Sequence, residues 1–113
     1  MQRKHLRFGK GFRVALGNAR AQAAEMGIPP GEAEGDPKNR HRGADQWLYV
    51  VAGTGSALVN GTRYPLRPGT LLLIEQQDTH EIKNTGQELL RTLNVYVPPA
   101  YTADGDELPP AKP

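Results

Sequence analysis

Two histidines carry most of the chemistry this sequence offers. His41 closes a polar loop that leads into the apolar run Gln46-Trp47-Leu48-Tyr49-Val50-Val51-Ala52. His80 follows another polar loop, Gln76-Gln77-Asp78, and opens a short alternating run with Ile82 and Asn84. Imidazole nitrogens bind Zn, Ni, Cu and Fe. Brought together, the two rings make either part of a metal site or a hydrogen-bonded pair in a metal-free pocket. The third histidine, His5, lies in a basic front segment with Arg3, Lys4, Arg7, Lys10 and Arg13, and is read as solvated. There is no cysteine, which excludes disulfides, thiolate nucleophiles and cysteine-type zinc sites. No nucleophile elbow, phosphate loop or Ser-His-Asp arrangement is present, and Gly53-Thr54-Gly55 is a turn without the helix a dinucleotide site needs.

The elements that must position these histidines read as strands. Leu48, Val50 and Ala52 share the face of Gln46, while Trp47, Tyr49 and Val51 share the other. A strand apolar on both faces packs between two layers or against another subunit. Asn60-Gly61 is a strong hairpin signal, because both positions tolerate positive φ. Further strands are expected at Phe12 to Leu16, Thr62 to Leu66, Thr70 to Glu75 (buried) and Leu89 to Val97. Gln22, Ala24, Met26 and Ile28 alternate and suggest a strand, although the alanines favour helix by propensity. Thr92, Asn94 and Tyr96 share one face of the last strand. Polar groups on an inner barrel face fit a ligand pocket, so Gln22, Met26, Asn94 and Tyr96 are candidate ligand-binding residues. Pro29 to Gly43 is expected to be loop.

With 113 residues, one domain is expected. Thirteen glycines and 10 prolines point to many turns, and with no convincing helix the fold class is all-β, a sandwich or barrel. The expected organisation is an N-terminal segment with a short strand over 1–19, a barrel over 20–98 and a Pro-rich, acidic, extended or disordered tail over 99–113. The net charge is +2 and the sequence pI about 9.1. The basic front lacks the aromatic interleaving of single-strand binders, so no nucleic-acid partner is expected. No apolar run spans a membrane and no signal-peptide pattern is seen; the expected location is cytoplasmic.

The spacing around the histidines resembles the cupin family. Its first motif, G-x5-H-x-H-x3or4-E-x6-G, falls on Asn39-Arg40-His41, then Gln46, then Gly53. Its second, G-x5-P-x-G-x2-H-x3-N, falls on Gly69, Glu75, Gln77, His80 and Asn84. The resemblance implies a double-stranded β-helix, or jelly-roll barrel. It also implies a metal set in which Asn39 and Gln46 stand where the family has a histidine and a glutamate. The candidate metal ligands are therefore His41, His80, Gln46 and Asn39, all neutral. Such a set leaves a divalent ion's charge uncompensated and favours an anionic ligand. Asn84 is read as closing the turn before Thr85-Gly86, and Asp45 as forming a surface or loop hydrogen bond.

The expected function is a small cupin whose pocket binds a divalent transition metal (Zn, Ni or Fe) and a small polar metabolite. Isomerase- or lyase-like Lewis-acid chemistry suits these ligands better than dioxygenation. The alternative is a metal-free small-molecule-binding cupin without catalysis. A homodimer is expected, because the stripe Trp47, Tyr49, Val51 is more apolar surface than so small a chain easily covers.

Overall fold

A computed structural model of the chain describes residues 1–38 and 43–108. The described residues form nine strands: β1 (Gly11–Gly17), β2 (Gln22–Ile28), β3 (Ala33–Asp36), β4 (Asp45–Ala52), β5 (Gly55–Val59), β6 (Thr62–Leu66), β7 (Leu71–Ile74), β8 (His80–Asn84) and β9 (Leu90–Val97). They form a five-stranded sheet in the order β1-β2-β9-β4-β7 and a four-stranded sheet in the order β3-β8-β5-β6. Every pairing is antiparallel. This is the all-β jelly roll expected from the sequence.

Alternation along each strand decides what is buried. Met26 and Ile28 of β2, Leu48 and Val50 of β4, and Leu90 of β9 turn inward from the larger sheet. They meet Ala57, Leu66 and Ile82 of the smaller sheet in one core. At roughly 25 cal/mol per Å² of apolar surface, this burial is the main force holding the sheets together. The strand reading of β2 prevails over the helix propensity of its alanines because its alternate residues complete this core. Asn60 and Gly61 have φ of 50° and 79°, and Val59 pairs with Thr62, so the expected two-residue hairpin forms.

Four local expectations are corrected. Residues 29–43 are not all loop: β3 forms within them. It has one apolar residue, Ala33, and owes its shape to ladder bonds with β8 rather than to its own side chains. Second, β7 is not buried. It is the edge of its sheet, so Ile74 reaches the core while Leu71 and Leu73 are exposed. Third, residues 1–10, whose polar composition leads to the expectation of a loosely held terminus, are docked. Gln2 exchanges two hydrogen bonds with the backbone of Gly17, and Phe8 N donates to Glu25 Oε1 at 2.8 Å. Glu25, buried on the outward side of β2, also pairs with Arg13 at 3.3 Å.

The fourth concerns the segment after β9, which folds back over the barrel end. Leu108 N donates to Ala100 O at 2.7 Å, and Tyr101 bridges to Glu107. A tail this polar has little to bury except Tyr101, and that ring packs 4.6 Å from Phe12 and 5.0 Å from Tyr96, centroid to centroid.

Candidate functional site

The rows of paired residues across the larger sheet descend from the barrel mouth. Gln22, Tyr96 and Gln46 are cross-strand neighbours in the first row. Ala24, Asn94 and Leu48 form the second, Met26, Thr92 and Val50 the third, and Ile28 and Leu90 lie below them. From the smaller sheet, His80, Ile82 and Asn84 face inward in the same sense. Polar side chains thus gather at one end of the barrel and aliphatic ones at the other. Between the two sheets at the polar end lies a cavity of about 510 Å³. Its lining includes His80, Gln46, Tyr96, Met26 and Ile82. Ala24 in the second row is short, which lets the space reach Met26 beneath it.

His80 sits at the start of β8, paired with Asp36 on one side and Val59 on the other, and only 9% of it is exposed. Gly35 presses against it. A Cβ placed on Gly35 would lie 2.7 Å from the His80 carbonyl oxygen and 3.1 Å from Nε2 of its ring, and φ at Gly35 is +108°. Only glycine fits that backbone and that gap. The short strand β3, invisible to sequence patterning, therefore fixes one side of the imidazole.

Gln46 projects from the facing sheet and is 3% exposed. Its Nε2 donates to Asn94 Oδ1 at 3.0 Å, and Asn94 Nδ2 donates to Thr92 Oγ1 at 3.1 Å. This relay satisfies a run of buried amides, each of which would otherwise carry a desolvation cost.

The sequence-predicted candidates separate into groups. His80, Gln46, Met26 and Tyr96 all line the cavity. Asn94 does not: it is fully buried in the row below and supports Gln46. Gln22 does not reach the cavity either. Its Nε2 donates to Tyr101 O at 2.7 Å, and its Oε1 accepts from Ala100 N and Tyr101 N at 3.2 and 3.1 Å. The amide is spent on holding the returning segment. His41 and Asn39 lie outside the described residues.

Two readings of non-ligand residues agree with the structure. Asn84 Nδ2 donates to Ile28 O and Glu88 O while its Oδ1 accepts from Gly86 N, so it closes the turn and ties β8 to the loop before β9. Asp45 accepts from Gln76 N at 3.1 Å in a loop contact. The sequence reading missed Phe12, Tyr101, Glu107 and Leu108 on one wall and Glu34 and Asp36 on another. The one available signal was Tyr101, a lone aromatic in an otherwise polar tail.

Among the described residues, no three His, Cys, Asp or Glu side chains are grouped to hold a metal. Of the four predicted metal ligands, the described residues place one imidazole, His80, and one amide, Gln46, at the cavity, whose lining also includes the carboxylates of Glu34, Asp36 and Glu107. His80 and Gln46 fit a metal only together with further donors; His41, two residues before Gly43 in the sequence, lies outside the described residues.

The cupin domain model matches residues 24–96, well over half the chain. The chain belongs to the cupin family. An oxalate-binding protein of Thermotoga maritima is 30% identical over 83 residues, covering 74% of this chain and 67% of that protein. A 5-aminosalicylate 1,2-dioxygenase of Comamonas sp is 34% identical over 76 residues, covering 58% of this chain. This cupin spans only 20% of the dioxygenase's length. Among solved structures, a cupin 2 conserved barrel domain protein from Salinispora arenicola superposes with a TM-score of 0.71 at 17% identity, over 86% of this chain and 88% of that one. That likeness bears on the fold alone.

Proposed function

We propose that the barrel mouth binds one divalent transition metal (Zn, Ni or Fe) and, beside it, a small oxygen-bearing metabolite. The observation that carries this reading is the meeting of His80 and Gln46. They come from opposite sheets and are both buried, yet both line one cavity large enough for a metabolite. His80 supplies an imidazole nitrogen and Gln46 an amide oxygen, with His41 and Asn39 completing the set. A bound ion would act as a Lewis acid on a carboxylate, enediol or sugar oxygen.

The chain's own residues would do the rest. Gly35 holds the His80 ring from one side, and the Asn94–Thr92 relay orients Gln46. Met26 and Ile82 keep the cavity floor dry. Because every donor in the proposed set is neutral, the ion's charge would be balanced by an anionic oxygen ligand or by the Glu34, Asp36 and Glu107 carboxylates of the same lining. The oxalate-binding relative from T. maritima agrees with such a ligand class.

Metal content tests this reading. About one equivalent of transition metal in the parent, lost in a His41→Ala/His80→Ala variant, supports it. No uptake after incubation with Zn(II), Ni(II) or Fe(II) leaves the second reading, a metal-free binding barrel. That second reading is favoured by the neutral Asn39 and Gln46, which stand where the family motif has a histidine and a glutamate.

A second copy of the chain is the proposed partner. Leu71 and Leu73 of β7 pair with Tyr49 and Trp47 of β4, and Val95 of β9 flanks Trp47, so the outward apolar face is continuous. The exposed parts of Trp47, Tyr49, Val51, Leu71, Leu73 and Val97 sum to roughly 500 Å², the upper range of patches on monomers and most of the ~800 Å² that each partner gives to a standard interface. A flat face of this kind is self-complementary under twofold symmetry. A monomeric mass at micromolar concentration would refute the dimer.

A further inference from the structure

One wall of the cavity is built from outside the segment that matches the cupin model. That match ends at residue 96, and it begins at residue 24. Phe12 of β1 and the returning segment 100–108 lie beyond it, and both line the cavity. The returning segment is not loosely draped. The buried amide of Gln22 makes three hydrogen bonds to its backbone. Its own turn is closed by Thr102 N to Asp106 O at 2.7 Å and Gly105 N to Thr102 O at 3.0 Å.

What this segment delivers is a ring. Tyr101 lies against Phe12 at 4.6 Å and against Tyr96 at 5.0 Å, with interplanar angles of 51° and 71°. The two tyrosines meet in an edge-to-face arrangement beside Gln46, the cross-strand neighbour of Tyr96. The cavity therefore has an aromatic wall next to its polar donors. At about 510 Å³ it lies within the size range of sites for drug-sized ligands. A diacid of six heavy atoms would leave most of it empty.

We propose that Tyr101 is a specificity-determining residue that selects ligands carrying a planar ring. The ring packs on the Tyr101–Tyr96 wall and the ligand's oxygen points to His80 and Gln46. Gln22 is a positioning residue: it touches no ligand and acts by holding Ala100 and Tyr101 in place. The inference rests on the reading of the barrel mouth as a binding site.

The test compares benzamide with acetamide as probes on the full chain. Both are neutral, so the exposed carboxylates of Glu34, Asp36 and Glu107 at the cavity do not bias the comparison. They differ by the ring alone. Amide chemical-shift titration should give benzamide about a tenfold lower Kd than acetamide. Tyr101→Ala should remove that advantage and leave acetamide unchanged, and Tyr101→Phe should preserve it. Gln22→Ala should reduce the advantage and raise hydrogen exchange across residues 100–108. Equal affinities in the parent, or an equal loss of both probes in Tyr101→Ala, would overturn the proposal. His80→Ala separates the two levels of inference. If it weakens both probes while benzamide has no advantage, only the role of Tyr101 falls. If it weakens neither, the reading of the barrel mouth falls with it.

Discussion

The two ends of the barrel are made from the same strands and differ in what those strands point inward. At the closed end, Ile28, Val50, Leu66 and Leu90 fill the space, and the one buried amide, Asn84, has its hydrogen bonds made by backbone groups. At the mouth the inward residues are Gln46, His80 and Tyr96, with short Ala24 and Ala44 between them, and space is left over. Moving two residues along β4 changes Gln46 to Leu48, and two along β8 changes His80 to Ile82. Stability and chemistry are thereby separated along the barrel axis, and a substitution's effect should depend on which end it strikes.

Substitutions at the closed end should cost the most. Leu48→Ala removes a fully buried side chain between the sheets and should lower unfolding free energy by about 3 kcal/mol, read from urea denaturation. Asn84→Ala should cost a similar ~3 kcal/mol, because Ile28 O, Glu88 O and Gly86 N all lose their partner. A loss below about 1 kcal/mol in either would break the comparison, since that end would then not be the scaffold.

The boundary row should respond less. Gln46→Leu deprives Asn94 Oδ1 of its donor and should cost about 1–2 kcal/mol while also abolishing metal uptake. At the mouth itself, His80→Ala should change stability by less than about 1 kcal/mol, because the ring borders open space. Its effect should be on binding. Smallest of all on the monomer is Trp47→Ser on the outward face, within about 0.5 kcal/mol, although sedimentation should show the dimer lost.

Much of this separation was legible in the sequence. Alternation in β2, β4, β8 and β9 placed Met26, Gln46, His80 and Tyr96 inward, and the Asn60-Gly61 turn fixed the register of its hairpin. Period-two patterning works where one face is buried, which is why it succeeded there. It failed at β3, whose residues Ala33-Glu34-Gly35-Asp36 bury nothing and are strand only because β8 offers a ladder. It was blind to the tail, where ordering comes from a single ring and from Gln22, 79 residues from Tyr101. Gln22 and Asn94 were placed on the correct face, but alternation alone does not say at which depth a polar group meets a cavity and where it meets another amide.

The most direct test of the account is a Zn(II) titration followed by amide and imidazole chemical shifts on the full chain. The account predicts saturation near one equivalent, with the largest changes at His80, Gln46 and Gly35, smaller ones at Tyr96, and none at Leu48, Val50 or Leu90. Absence of saturable shifts, or shifts confined to exposed His5, would contradict the assignment of the barrel mouth as a metal-binding site.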